Sequence, residues 1–582
     1  MKKTKNSFLG RKYISILRAS IIVEAVAYIV TLTDTLVAGN MIGTAALSAV
    51  GLVAPLVGIS TFLMSVINSG TVPKYSYYIG RFDRKRANEY FSQGILLGLS
   101  LGVLFLFVFL ALKDAIIERY AVQADMLPYV QDYYSVIVFC FVLDPVMALL
   151  DNTAIADGGE NLSAFANVFQ IISNIALSIL FSRLWGVKGI AYASLLGKVL
   201  FLAIISTWFF GKKSTVRFVK HWSMRDCAEI IRSGIVRASY FALTGLMAAT
   251  LNAFVLARFE PSVLAQMIVA ERYLEISTVF AGLSAAVQSL IGTLRGENNT
   301  KAMRSLMKMV TRIMVYAGAI VTVLSLASAK LLAGAFGIDG RLAPACVSAF
   351  RILSTTMAVQ SILCLFFNYY FLLEKRMLAL LIGVLKDYLL PVALACAGAV
   401  LLHDANGLWI GLALAPVLSA LTASGVILLR YGKKKFPYLI PTEGVDRIYI
   451  YDTEVNETSA AELSKTAGRL LRENGVSPRI QMMICILVDD LMMLIYEKNL
   501  SGCKPVTAEL TIMLEEAGTR VILRDSGVIF NIMDENMRVE NYRQYFITKV
   551  MEVPDRKASI TTTGYNRNEF FFEDHGREAG NA

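Results

Sequence analysis

Apolar residues gather in runs along the first three quarters of the chain, each bounded by a short polar or basic stretch. About twelve such runs read as membrane helices: 13–39, 47–68, 91–112, 133–150, 163–182, 187–209, 232–256, 262–291, 312–335, 346–373, 377–402 and 408–430. A hydrocarbon core of about 30 Å needs about 20 apolar residues rising 1.5 Å each, so each run is long enough to span it. Several gaps are short enough to force hairpins between neighbours. From about Glu443 the pattern changes. DRIYIYD (446–452) predicts a strand, 457–474 and 477–499 predict helices, and 506–515 and 519–524 predict strands joined at Ala517-Gly518. The expected architecture is an all-α polytopic membrane protein of two six-helix lobes, 1–215 and 216–440, followed by a soluble α+β domain over 441–582.

The membrane region repeats itself. YYIGRFDRKRANEYF (77–91) follows the second run and TLRGENNTKAMRSLM (293–307) the eighth. Gly80 and Gly296 each lead a polar turn, a basic stretch and a helix carrying Ala87 or Ala302, with a one-residue shift between the copies. The spacing is about half the membrane region and fits a six-plus-six duplication with a substrate cavity between the halves.

Composition agrees. The 582 residues are 56% hydrophobic and 17% charged, against about 25% charged in soluble proteins. The net charge of +11 sits in alternate loops: the N-terminus, Lys74–Arg86, Lys212–Arg217, Arg295–Lys308, Lys375-Arg376 and Lys433–Lys435. Loops rich in Lys and Arg stay inside. Both termini are therefore expected in the cytoplasm of a multi-pass protein of the bacterial plasma (inner) membrane. The acidic loop Asp151–Glu160 falls on the same side and is an exception. The positive charge is thus assigned to topology rather than to nucleic acid. The basic start MKKTKNSFLGRKY resembles a signal peptide, but the apolar run continues to about Gly39 without a cleavage site, so it is read as the first membrane helix. The seven cysteines are scattered, and His221, His403 and His575 lie far apart, which predicts neither disulfides nor a metal site. None of the Gly-Lys pairs at 197–198, 211–212 and 432–433 is followed by Ser or Thr, so no phosphate-binding loop is present. A transporter is expected, not an enzyme.

An ionisable residue at the centre of a span costs at least ~2.5–3.5 kcal/mol and by default marks function. Glu24 and Asp34 lie in the first run, about 80° apart around a helix. Asn174 and Ser178 share a face of the fifth, and Ser194 lies in the sixth; as packing contacts these hydroxyl and amide groups would simply join helices. Glu271 and Glu275 sit one turn apart in the eighth run, with Arg237, Arg258 or Arg272 as candidate partners. Lys386 and Asp387 are adjacent in the eleventh. A carboxylate withdrawn from water into a cavity gains from binding a proton or Na⁺, and an organic cation can replace either. That is the coupling an antiporter needs.

Over about residues 10–435 the text resembles the multidrug and toxic compound extrusion (MATE) family: DTLVAGNMIGTAALSAVGL (34–52), ADGGENLSAFANVFQIISNIALSILF, GVKGIAYASLLG (186–197), LIGTLRGENN (290–299), KDYLLPVAL and GLWIGLALAPVLSAL. The resemblance implies a two-lobed exporter of small organic, cationic or amphipathic compounds, driven by H⁺ or Na⁺ and needing no other cofactor. It assigns coupling to Asp34, Asn174 and Ser194; Ser178 stands where the family pattern has Asp, which removes one negative charge from the site. The tail resembles the GHKL ATPases, nearest the anti-sigma-factor serine kinases, through LRDSGVIFN (523–531), RIQMMICILVDDLMMLIYEKN (479–499) and TTTGYNRNEFFF. Asp525 and Gly527 match the adenine-side box and Asp490 the acid of the Mg-ATP helix. Leu494 replaces the magnesium-binding Asn, and the second glycine box is missing at 541–550. A degenerate, regulatory domain is expected, with a cytoplasmic protein as its partner and the transporter itself a monomer. Two alternatives stand: a flippase for lipid-linked saccharides, and a membrane-anchored signalling protein with a kinase-like tail.

Overall fold

A computed structural model describes residues 8–119, 127–211, 214–259, 273–335, 343–440, 447–500, 505–530, 552–562 and 564–574, with isolated positions between 263 and 270 and at 532. Among these, seven helices are long and apolar enough to cross a membrane. Two bent pairs, Leu127–Ile137 with Cys140–Asp157 and Ala343–Ser354 with Met357–Leu372, qualify together. One of the seven, Glu160–Phe210, is too long for a single pass. As a straight helix its 51 residues would reach about 77 Å. The backbone leaves the helical region at Trp185 and Gly186, and Asn174 donates to the Ser194 hydroxyl across 3.0 Å. Twenty residues of unbroken helix would hold those two about 30 Å apart. The element is a helical hairpin, turning between the expected spans 163–182 and 187–209. Gly186 supplies φ 60° at the turn, and a Cβ on Gly189 would collide with the Phe181 carbonyl. The first expected span falls on helix Phe8–Val37, whose side chains at 23–33 lie outside the described residues. The span expected at 262–291 is described only in part.

Most buried side chains of the membrane region fall in two clusters, one from Val37 to Ile230 and one from Phe8 to Ile440 that also takes in Tyr565 of the tail, with a small third of Ala154, Ala166, Phe201 and Ile205. The expected boundary at 215/216 is crossed twice. Phe8, Leu9, Tyr13 and Ile16 belong to the second cluster, and Tyr13 donates to the Leu283 carbonyl at 3.2 Å, whereas Val37 and Ala38 at the other end of that helix belong to the first. Helix Met224–Arg258 mirrors this, with Cys227 and Ile230 in the first cluster and Leu251 and Val255 in the second. Each lobe's opening helix therefore starts in the opposite lobe. On that same side, where the basic loops lie, glycine brings the lobes into backbone contact. A Cβ on Gly80 would come within 2.9 Å of the Gly296 Cα, and one on Gly296 within 2.7 Å of the Gly80 Cα. Gly70 abuts the Ile230 carbonyl and Gly234 the Val66 carbonyl. Small residues at such crossings let membrane helices gain close dispersion contact.

The acidic stretch 151–160 is not an exposed loop. Asp157 accepts from Trp208 Nε1 (3.0 Å), Ser214 Oγ (2.8 Å) and the Thr215 amide (3.0 Å). Asp151 accepts from Ser163 at 2.5 Å, and Glu160 pairs with Lys12 at 2.5 Å.

In the tail, strands β1 (Ile448–Glu454), β2 (Thr507–Glu515), β3 (Gly518–Asp525), β4 (Arg556–Thr562) and β5 (Tyr565–Glu573) form one antiparallel sheet in the order β1-β2-β3-β5-β4. Helices Glu457–Glu473 and Pro478–Lys498 pack Leu463, Ile484, Leu487 and Leu491 against Leu510, Ile512, Val521, Leu523, Phe570 and Phe572. The alternate strand positions face the other way, toward the membrane region.

The hairpin gives a direct test. Gly189→Val should cost about 1–3 kcal/mol by overpacking, lowering the melting temperature of the detergent-purified protein. Gly245→Ala, where an added Cβ meets nothing within 4 Å, should leave it level or raise it. Equal melting temperatures would refute the close packing at Gly189.

Candidate functional site

Three elements converge on Asp34. The first helix carries it, and only 7% of it is exposed. From the hairpin, Ser194 Oγ lies 3.0 and 2.8 Å from its two carboxylate oxygens. From helix Leu127–Ile137, Tyr133 Oη donates to Oδ2 at 3.0 Å. Asn174 holds Ser194 from behind. Among the described residues Asp34 forms no ion pair, and two buried oxygens, Asn174 Oδ1 and Ser178 Oγ, lack hydrogen-bond partners. Ser178 lies one turn from Asn174 on the same face. Nearby in the same lobe, Lys198 on the hairpin's second limb pairs with Asp144 at 2.5 Å, and Ser60 donates to the other oxygen of Asp144 at 2.8 Å.

The second lobe holds a different arrangement. Lys386 and Asp387 are sequence neighbours that would point about 100° apart on an α-helix. Here they lie in a π-turn, Leu385–Leu389, and Lys386 Nζ sits 2.5 and 2.7 Å from the two oxygens of Asp387. Both are buried. The ammonium also lies 5.1 Å from the Tyr240 ring centroid and 5.5 Å from that of Phe367, within cation–π range. Glu275 begins a 3₁₀ turn, Glu275–Thr278, but its side chain lies outside the described residues, as do Glu271 and the side chain of Glu24.

In the tail, Asp525 ends β3. Its Oδ1 accepts from Asn566 Nδ2 at 2.9 Å and from the Gly527 amide at 3.0 Å, while Oδ2 is buried without a partner among the described residues. Asn499 fills the space over Gly527: a Cβ there would lie 2.5 Å from the Asn499 amide nitrogen, and Asn499 Oδ1 accepts from the Val528 amide at 2.9 Å. Asp490 is half-buried on helix Pro478–Lys498, and Leu494 packs into the tail core. The segment expected to lack the second glycine box, 541–550, lies outside the described residues.

Residues 19–180 match the family model described as MatE. No curated protein sequence matches the chain. Among solved structures, the outward-facing conformation of a multidrug resistance MATE family transporter of the MOP superfamily superposes with a TM-score of 0.67 at 20% identity, covering 72% of this chain and 95% of that one. A MATE in the bent conformation gives 0.65 at 20% identity, covering 72% and 94%. A MOP superfamily transporter from Pyrococcus furiosus, described by a reverse polarity of its binding pocket, gives 0.68 at 19%, covering 76% and 99%. The membrane region has the MATE fold. Those chains are covered almost completely, so about a quarter of this one lies beyond the part they share with it.

Within the MATE fold, Asp34, Asn174 and Ser194 form one hydrogen-bonded set, whereas Lys386 and Asp387 lie in the other lobe, and Asp490, Asp525 and Gly527 in the tail. Sequence reasoning missed Tyr133, Ser60, Asp144 and Lys198. The rule that singled out Asp34 also applies to Asp144 and Lys198, both inside apolar runs. Tyr133 and Ser60 carry no such signal, because a hydroxyl in a span reads the same whether it packs or binds.

Two measurements test these geometries. Truncating one member of the second-lobe pair, Lys386→Met or Asp387→Leu, should cost about 3–5 kcal/mol, and the double variant far less, because an uncompensated buried charge is worse than none; additive losses in melting temperature would refute the pairing. In the tail, burial pushes Asp525 up to about 7 from an ordinary 3.8, with Asn566 and the Gly527 amide pulling it back down. The folded tail therefore keeps a proton that the unfolded tail releases. Its stability is greatest below about pH 4 and falls as the pH rises through about 7, by roughly 4 kcal/mol at most. Pulse proteolysis of the tail in the full-length protein should show that fall, and Asp525→Asn should flatten it.

Proposed function

We propose that the membrane region is a secondary transporter. It exports small organic, cationic or amphipathic compounds by H⁺ or Na⁺ antiport through alternating access, with both termini and the tail on the cytoplasmic side of a bacterial plasma membrane. The observation that carries this reading is Asp34: a buried carboxylate in a membrane helix, held by the hydroxyls of Ser194 and Tyr133 and by no ion pair among the described residues. A bound proton, Na⁺ or cargo cation can neutralise it, and only one of these need be present at a time. Asn174 Oδ1 and Ser178 Oγ are the spare acceptors of the set. With Ser at 178 the site has one carboxylate instead of two, which favours a proton over Na⁺, a hard cation that gains from each added anionic oxygen ligand.

A flippase for lipid-linked saccharides is the second reading. Lys198 and Lys386 favour it, since buried cations in both lobes would suit an anionic head group. The Pyrococcus furiosus relative is described as one whose pocket polarity suggests a different function. Against it, each lysine is already paired with an aspartate in its own lobe. The tail is read as a degenerate GHKL-like regulatory domain that binds a cytoplasmic partner. A signalling role through phosphorylation would need a Mg-binding Asn where Leu494 stands.

Proteoliposomes with imposed pH or Na⁺ gradients test the transporter reading. Gradient-driven efflux of a cationic dye should fall at least tenfold in Asp34→Asn, and Ser194→Ala should weaken the response about fivefold, the equivalent of one lost hydrogen bond of ~1 kcal/mol. Undiminished export by Asp34→Asn would remove Asp34 from the mechanism. Movement of a lipid-linked saccharide without dye efflux would favour the flippase.

A further inference from the structure

The second face of the tail sheet carries its contacts with the membrane region. Strand register places Asp452, Glu509, Arg524 and Arg567 side by side across β1, β2, β3 and β5, so their side chains leave on one face. Asp452 accepts from the Phe8 amide at 2.9 Å. Arg524 bonds both Glu509 and Glu297. Arg567 donates to the Ile79 carbonyl at 2.8 Å and the Gly80 carbonyl at 2.7 Å. Its Nε lies 2.8 Å from Glu297 Oε1, a Coulombic contact rather than a hydrogen bond, and its guanidinium sits 3.6 Å from the Phe82 ring centroid. Arg524, Arg567 and Glu297 are each 0% exposed. At the margins, Arg84 donates to the Ser559 carbonyl at 2.9 Å and Lys301 to the Ile448 carbonyl at 2.7 Å.

Ile79–Arg84 belongs to the first lobe and Glu297–Lys301 to the second. These are the two repeat-related turns whose glycines, Gly80 and Gly296, make the backbone contact between lobes. Arg567 touches both. We propose that this sheet face is an intramolecular strap for the closed cytoplasmic seam: the tail binds the paired turns only while the lobes are together, and so holds the protein shut toward the cytoplasm. This rests on the transporter reading, because only an alternating-access protein must open that seam. When the turns separate, Arg567 cannot keep the carbonyls of 79–80 and the carboxylate of Glu297 at once. If it follows the first lobe, Glu297 loses its contact with Arg567; if it follows the second, the buried guanidinium loses the carbonyls of Ile79 and Gly80. A group that binds one of two states shifts the equilibrium toward that state by its difference in affinity. Undocking of the tail then becomes part of each opening, and a cytoplasmic partner that takes the sheet face would release the seam.

The test reads the seam itself. Ser76, buried against Gly292, is replaced as Ser76→Cys in the full-length protein. Labelling by a membrane-impermeant maleimide is followed in inverted vesicles, over the background of the protein without the added cysteine. Arg567→Gln and Glu297→Gln should each raise the labelling rate about tenfold or more; unchanged rates in both overturn the strap. A second arm covers a variant tail that fails to fold. Cysteine pairs Arg84→Cys with Ser559→Cys and Lys301→Cys with Ile448→Cys, closed together by a reducible thiol cross-linker, should stop dye export, and reductant should restore it. Export that continues with both links closed overturns the proposal. The labelling arm needs neither cargo nor gradient, so a failure of the transporter reading leaves it able to decide whether the tail holds the seam.

Discussion

A charge withdrawn from water must find an opposite charge or a full set of hydrogen bonds close by, and that constraint orders most of what is distinctive here. Lys198 with Asp144 and Lys386 with Asp387 meet it by pairing within one lobe. Arg524 and Arg567 meet it by pairing with Glu509 and Glu297 at the junction of tail and membrane region. Asp34 meets it differently, with the hydroxyls of Ser194 and Tyr133 and, among the described residues, no ion pair. The paired sites have little reason to exchange anything. This difference in partners, not burial as such, sets Asp34 apart from Asp144 and Asp387.

The same constraint explains how the membrane region and the tail become one body. The lobes exchange the first turns of their opening helices and touch through glycine, where dispersion at close range replaces the hydrophobic driving force that lipid does not supply. The tail is an ordinary half-covered sheet on its helix side, built from alternating Leu, Ile, Val and Phe. Its other side carries the charged row, which would be solvated in an isolated domain. Docking removes that row from water, so the turns at 79–84 and 295–301 must supply carbonyls and a carboxylate in the right places. The polar repeat that first marked the duplication is therefore also the surface on which the tail sits.

Much of this was legible in the sequence. Runs of about 20 apolar residues can only be membrane spans or very large cores, and β1, β2, β3 and both helices of the tail fall within a few residues of their expected ends because periods of 2 and 3.6 report which face of an element is buried, whereas β4 and β5 had no expected bounds. The hairpin at Trp185–Gly186 was readable from the short polar gap between two runs. Asp34, Asn174 and Ser194 were readable as chemistry out of place in a span, and their meeting followed from family resemblance rather than from spacing. Tyr133 and Ser60 carried no signal, and although Asp144 and Lys198 each stand out as charges in apolar runs, nothing along the chain pairs them across 54 positions.

What the sequence determined by itself is the environment of each segment: lipid-facing, water-facing or half of each. That follows because burial acts on every residue separately and leaves a periodic trace. What only the tertiary structure decided is partnership. Arg524 and Arg567 are buried because another surface of the same chain, with Glu297 at its centre, covers them. Contacts between residues hundreds of positions apart depend on how finished elements pack, and no local pattern along the chain records that.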